Sequence, residues 1–194
     1  MKTTHLLYLH GFRSSPQSTK ARRMRDFLAQ CHPRVQFWCP QLPPSPQAAM
    51  ALVAQGIASW PRAAMAVVGS SLGGFYATWV AHQARCPSVL LNPAVHPARD
   101  LERYIGEQTA WHSPEERFFF QPEYVQELRA LELHGQAPAG PELAIIAQGD
   151  EVLDWREMVA RYPAAQLRLL EGGDHALSDF EPHLEPIAQF LHLA

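Results

Sequence analysis

The run from Met65 to Gly74, MAVVGSSLGG, constrains this chain more than any other stretch, because it sets a serine on the turn between two elements. Met65 to Val68 is short, apolar and partly β-branched, as a buried parallel strand is, while Phe75 to Ala84 has the composition of a helix. Between them Gly69-Ser70-Ser71-Leu72-Gly73 reads G-x-S-x-G. In a nucleophile elbow the serine holds a strained backbone, and the positions two before and two after it must be glycine-small because strand and helix close on each other. A flexible loop or a phosphate-binding turn is the competing reading. No lysine follows the glycines as a P-loop requires, and the first strand carries no G-x-G-x-x-G. Ser71 is therefore the candidate nucleophile; Ser70 occupies the elbow's variable position.

A serine hydroxyl needs a base and an orienting acid, in this architecture in the chain order Ser, Asp or Glu, His. Leu143 to Ala147 is an apolar strand pattern followed by Gln148-Gly149-Asp150-Glu151-Val152-Leu153-Asp154, and Leu167 to Leu170 is followed by Glu171-Gly172-Gly173-Asp174-His175. Both loops fall at the carboxyl edge of a parallel sheet, where such sheets place their sites. His175 is the candidate base. Asp150, first after the strand and its glycine, is favoured as the acid; Asp154 is expected to cap a helix from Trp155 to Arg161, and Asp174 to be a solvated turn carboxylate.

The strand ending at Leu9 runs into His10-Gly11-Phe12, an H-G-x arrangement that offers a backbone N–H to an oxyanion. The N–H groups of Phe12 and Leu72 are the candidate oxyanion donors, each typically worth about 3 kcal/mol in a transition state. His10 is expected to brace the loop.

With these residues identified, the chain resembles the α/β-hydrolase superfamily, and within it the small bacterial YqiA-type esterases. The resemblance extends over nearly the whole length: LLYLHGF, SSPQSTKA, PQLPP, GSSLGGFYATW, NPAV at Asn92 to Val95, GDEVLD and EGGDHA. It implies hydrolysis of an ester or thioester by Ser71, Asp150 and His175 with no cofactor, and acyl-CoA is among the thioesters to be expected. Arg13 stands where the family suggests asparagine, His96 where it suggests arginine and Asp174 where it suggests asparagine. Arg13 and His96 are expected to border the substrate pocket.

The alternation of strands and helices predicts an α/β fold with one parallel sheet. Strands are expected near 3–9, 35–39, 65–68, 89–92, 143–147 and 167–170, and helices near 19–30, 46–60, 73–84, 155–161 and 182–191. The resemblance implies a minimal α/β-hydrolase fold, a six-stranded sheet in the order 2-1-3-4-5-6 with helices on both faces. At 194 residues and 47% hydrophobic composition the chain is expected to be a single domain, 1–194. Residues 93–141 form the longest excursion and are read as a cap-like insertion. Its aromatic residues include Trp111 and Phe119, which with Arg13 are the candidate substrate-binding side chains.

A net charge of -3 leaves no electrostatic footprint for nucleic acid. The basic run Lys20, Arg22, Arg23, Arg25 reads as the solvated face of a helix. Three cysteines without metal-ligand spacing read as free thiols of a cytoplasmic protein, and no apolar run suggests a signal peptide or a membrane span. The ten histidines show no H-E-x-x-H or comparable spacing, so no metal and no cofactor is expected. The expected partner is a small-molecule ester or thioester. The alternative is a binding or scaffold protein that keeps the fold without the chemistry.

Overall fold

The strand β1, His5–Leu9, sets the plan of the molecule, because its successive side chains feed opposite cores. Leu7 and Leu9 join one buried cluster and Leu6 and Tyr8 the other, and all four are fully buried. A strand covered on both faces must read as an unbroken apolar run, and this one does. Each such leucine stabilises the fold by about 1.5–3 kcal/mol relative to exposure. A computed structural model describes residues 2–111, 113–133 and 135–194.

In chain order β1 is followed by α1 (Thr19–Cys31), β2 (Gln36–Trp38), α2 (Pro46–Gly56), β3 (Met65–Ser70), α3 (Leu72–Ala84) and β4 (Ser88–Leu91). The insertion then holds α4 (Pro97–Leu101), a 3-10 turn, β5 (Gly106–Ala110), β6 (Ser113–Phe120) and α5 (Pro122–Ala130). The chain returns through β7 (Glu142–Ala147), α6 (Trp155–Arg161), β8 (Gln166–Leu170) and α7 (Glu181–Phe190). The main sheet has six strands in the order β2-β1-β3-β4-β7-β8, and every pairing in it is parallel. Leaving out the insertion's own strands, this is the expected order 2-1-3-4-5-6 in an α/β-hydrolase fold. α1 and α7 cover one face; α2, α3 and α6 cover the other, together with the insertion's α4 and α5.

Two features differ from the sequence expectations. The insertion contains an antiparallel pair, β5 with β6, which strand patterning did not suggest because Glu115, Glu116 and Arg117 interrupt it. α2 ends at Gly56, not near Trp60, where the chain passes so close to the Trp38 ring that an added Cβ would collide with it. The basic run of α1 is also divided in its use. Arg22 and Arg25 are exposed, but the Lys20 ammonium donates to the Ala176 carbonyl and Arg23 donates to the Ser178 carbonyl at 3.0 Å and pairs with Glu181 at 2.7 Å. No helix among the described residues is long and apolar enough to cross a membrane.

Candidate active site

Three strand ends of the main sheet, those of β3, β7 and β8, deliver Ser71, Asp150 and His175 to one place. Ser71 lies between β3 and α3 with φ of 56° and ψ of -122°, a conformation costly for any residue with a Cβ. The glycines around it are required by sterics. A Cβ on Gly69 would enter the Gly73 carbonyl, and one on Gly73 would enter the Leu9 carbonyl. The turn is stapled to the neighbouring strand, with the Ser71 N–H donating to the Leu91 carbonyl at 3.0 Å and the Ser71 carbonyl accepting from the Ala94 N–H at 3.0 Å.

His175 Nε2 lies 3.0 Å from Ser71 Oγ, and His175 Nδ1 lies 2.8 Å from Asp150 Oδ2. A carboxylate can only accept, so Nδ1 carries the proton and Nε2 presents its lone pair to the serine hydroxyl. The Asp150 side chain is 0% exposed, and its second oxygen, Oδ1, accepts the N–H groups of Val152 and Leu153 at 2.8 Å each. Those amides fix the rotamer from which Oδ2 meets the imidazole. Asp154 lies apart from this set and caps α6 through the N–H of Arg156 at 2.9 Å. Asp174 accepts from the Ser178 N–H and hydroxyl at 2.9 and 2.6 Å, and those bonds hold its carboxyl below the usual carboxylate range. Burial pushes the Cys39 and Cys86 thiols up to about 12, so both stay protonated and unreactive near neutrality.

The loop after β1 passes directly beside the elbow: a Cβ added at Gly11 would lie 3.2 Å from Ser71 Cβ. His10 is buried and braces it. Its Nε2 accepts the Leu42 N–H at 3.1 Å, which leaves the proton on Nδ1 to be donated to the Gly11 carbonyl at 3.0 Å. Among the described residues the N–H groups of Phe12 and Leu72 meet no protein acceptor. The Phe12 ring packs at 5.3 to 5.9 Å against Tyr104, Phe118 and Phe120 of the insertion.

A cavity of about 380 Å³ opens beside the elbow, walled by Phe12, Arg13, Leu42, Pro43, Leu72 and Phe118. Trp111 and Phe119, the aromatic side chains singled out from the sequence, are not among its lining residues. They are 71% and 52% exposed. For Phe119 the reason is strand alternation: along β6, Phe118 and Phe120 turn toward Phe12, which sends Phe119 outward. Arg13 does line the cavity, but its Nε and its backbone carbonyl are engaged by the insertion. Nε donates to the Thr109 carbonyl at 2.6 Å, its carbonyl accepts the Trp111 N–H at 2.8 Å, and the guanidinium stacks 4.1 Å from the Trp111 ring centroid. His96 lies on a separate cavity of about 160 Å³ beside α3 and α6, so it does not border the pocket at the elbow.

Patterning alone left two contributors unassigned. Glu151 Oε2 accepts the backbone N–H of His175 at 2.9 Å, and buried Asn92 bonds to both the β7 strand and the His175 loop. Both lie within runs, GDEVLD and NPAV, that carried the family resemblance. No group of three His, Cys, Asp or Glu side chains among the described residues converges as metal ligands.

Solved structures share the architecture. α/β-hydrolase domain-containing protein 10 from mouse superposes with a TM-score of 0.74 at 16% identity, over 98% of this chain and 90% of that one. Est1E from Butyrivibrio proteoclasticus, with ferulic acid bound, gives 0.72 at 16% identity over 98% and 87%. The esterase domain of a Rhodothermus marinus protein gives 0.74 at 16% over 99% and 88%. Residues 5–192 match the model of a family described as Uncharacterised protein family (UPF0227). The chain belongs to that family, YqiA-like in its motifs and α/β-hydrolase in its fold.

Proposed function

We propose that this protein is a serine hydrolase that cleaves carboxylic esters of small or acyl-chain acids, thioesters included, through an acyl-enzyme on Ser71. The observation that carries the reading is the continuous line Ser71 Oγ, His175 Nε2, His175 Nδ1, Asp150 Oδ2, with links of 3.0 and 2.8 Å. His175 takes the Ser71 proton as Oγ attacks the carbonyl carbon, then passes it to the departing alkoxide or thiolate. Asp150 keeps the imidazole in the tautomer able to do this and stabilises the imidazolium. The N–H groups of Phe12 and Leu72 receive the oxyanion, the second from the positive end of α3. Water then enters by the same path in reverse, with His175 as base, and releases the acid.

The apolar cavity beside Leu72 supports an acyl chain or ring as the part of the substrate bound there. Esterase function in structural neighbours such as the Rhodothermus marinus domain is consistent with this class. A fluorophosphonate probe tests the reading: it should label the wild type and leave Ser71→Ala unlabelled. A folded wild-type protein that neither takes the probe nor hydrolyses any of a panel of acyl esters and thioesters would overturn it in favour of a binding protein.

A further inference from the structure

Resting on the serine-hydrolase reading, we infer that Asn92 is the positioning residue of the triad, the side chain that sets the acid loop and the histidine loop at their working separation. Asn92 follows β4, is fully buried, and adopts a left-handed backbone with φ of 41°. That backbone costs energy for most non-glycine residues, and asparagine is among the few that tolerate it. Its amide bonds to distant backbone in two directions. Oδ1 accepts the Ala147 N–H at 2.8 Å, while Nδ2 donates to the Asp174 carbonyl at 3.0 Å and the His175 carbonyl at 3.2 Å. Ala147 in turn accepts the Asp150 N–H at 3.3 Å, so one face of the amide leads in two steps to the acid.

The flanking backbone completes the set. Leu91 and Ala94 staple Ser71, and the Asn92 N–H donates to the Ile145 carbonyl at 3.0 Å. The segment from Leu91 to Ala94 thus touches Ser71 and His175 directly and reaches Asp150 through Ala147. Only an amide suits the side-chain role, because one planar group must accept on one side and donate twice on the other. A carboxylate of the same shape keeps the Ala147 bond but faces two carbonyl oxygens with no hydrogen to give. A misplacement of the imidazole by about 1 Å is enough to cost on the order of 10²-fold in rate.

The test compares wild type with Asn92→Asp, which preserves shape, and Asn92→Gly, which removes the amide while suiting the left-handed backbone. Two readouts are taken on proteins shown to be folded by circular dichroism: kcat and KM on a short acyl ester, and the proton NMR signal of the His175 Nδ1–H bonded to Asp150. Both variants are expected to lose kcat by about 10²-fold with KM within about threefold, and to lose or broaden that signal. Should one variant fail to fold, the other is read by the same criteria. Folded variants with near wild-type kcat and an undiminished Nδ1–H signal overturn the inference. The NMR arm needs no substrate. A wild type that neither takes the fluorophosphonate probe nor turns over any of the ester and thioester panel therefore sinks the hydrolase reading while the signal still decides the role of Asn92.

Discussion

Glu151 holds the backbone of His175, its carboxylate accepting the histidine N–H at 2.9 Å, while the preceding residue, Asp150, accepts a hydrogen bond from the ring Nδ1–H at 2.8 Å. Two consecutive acidic residues therefore grip one histidine at two points. The β7 loop fixes where the imidazole begins as well as which way it faces. The loop after β8, which carries His175 itself, is tied down from the other side by α1, through Lys20 to the Ala176 carbonyl and Arg23 to the Ser178 carbonyl.

Ser71→Ala and His175→Ala should each lower kcat by about 10⁴-fold or more, because removing one member disables the linked unit. Thermal unfolding should change little. Steady-state assays on purified folded variants check this, and near wild-type turnover from either one would refute the assignment.

Among the carboxylates, Asp150→Asn should lose about 10⁴-fold by presenting an amide to His175 and favouring the wrong tautomer. Asp154→Asn should leave turnover nearly intact, since asparagine also caps helices, and Asp174→Asn should do the same because its bonds end on Ser178. Side-by-side kcat values rank the three; a severe defect in Asp154→Asn would contradict the geometry.

Lys20 gives a stability signature that depends on pH. Burial lowers its ammonium from 10.5 to about 8, against the opposing pull of Asp174 and Asp150. Between pH 8 and 10.5 the unfolded chain therefore binds more protons at this site than the folded chain, and stability from this group rises with pH across that window. Below it both states are charged and the burial cost is constant. The difference in Tm, wild type minus Lys20→Met, should climb from about pH 7 to about pH 10. A difference that stays flat would show that Lys20 is not desolvated.

Acyl-chain selectivity should follow the cavity wall. Each methylene buried there gains about 0.8 kcal/mol, or about fourfold in kcat/KM. Phe118→Ala should flatten the dependence on chain length, while Phe119→Ala should preserve it. Rates on acetyl, butyryl and longer esters decide the matter, and equal effects of the two substitutions would place the acyl group elsewhere.

Much of this arrangement was legible because it is carried by local chemistry. The elbow glycines, the strand-ending loops of Asp150 and His175 and the capping role of Asp154 each follow from a short run and its place after a strand. What escaped the sequence depends on facing and distance. Whether Phe118 or Phe119 turns inward is a matter of strand phase, and the charged residues of β6 obscured the strand itself. The bonds of Asn92 span 55 to 83 residues, and those of Lys20 and Arg23 span 156 and 155, so no local pattern announces them. His96 was misplaced for the same reason. It lines the cavity beside α3 and α6 and not the one at the elbow, a matter of facing that its place in the sequence does not reveal.

The grip of β5 and the residues after it on Arg13, together with the ring packing around Phe12, makes the insertion a structural member of the half of the molecule that holds the proposed active site. The loop that carries the proposed oxyanion donor, Phe12, is clasped by the very segment that walls the cavity. Excising residues 102–130 to obtain a pared-down catalyst would unseat Phe12 along with the wall. Grafting a foreign insertion to change selectivity would succeed only if the transplant also supplied a carbonyl for Arg13 and a socket for the Phe12 ring.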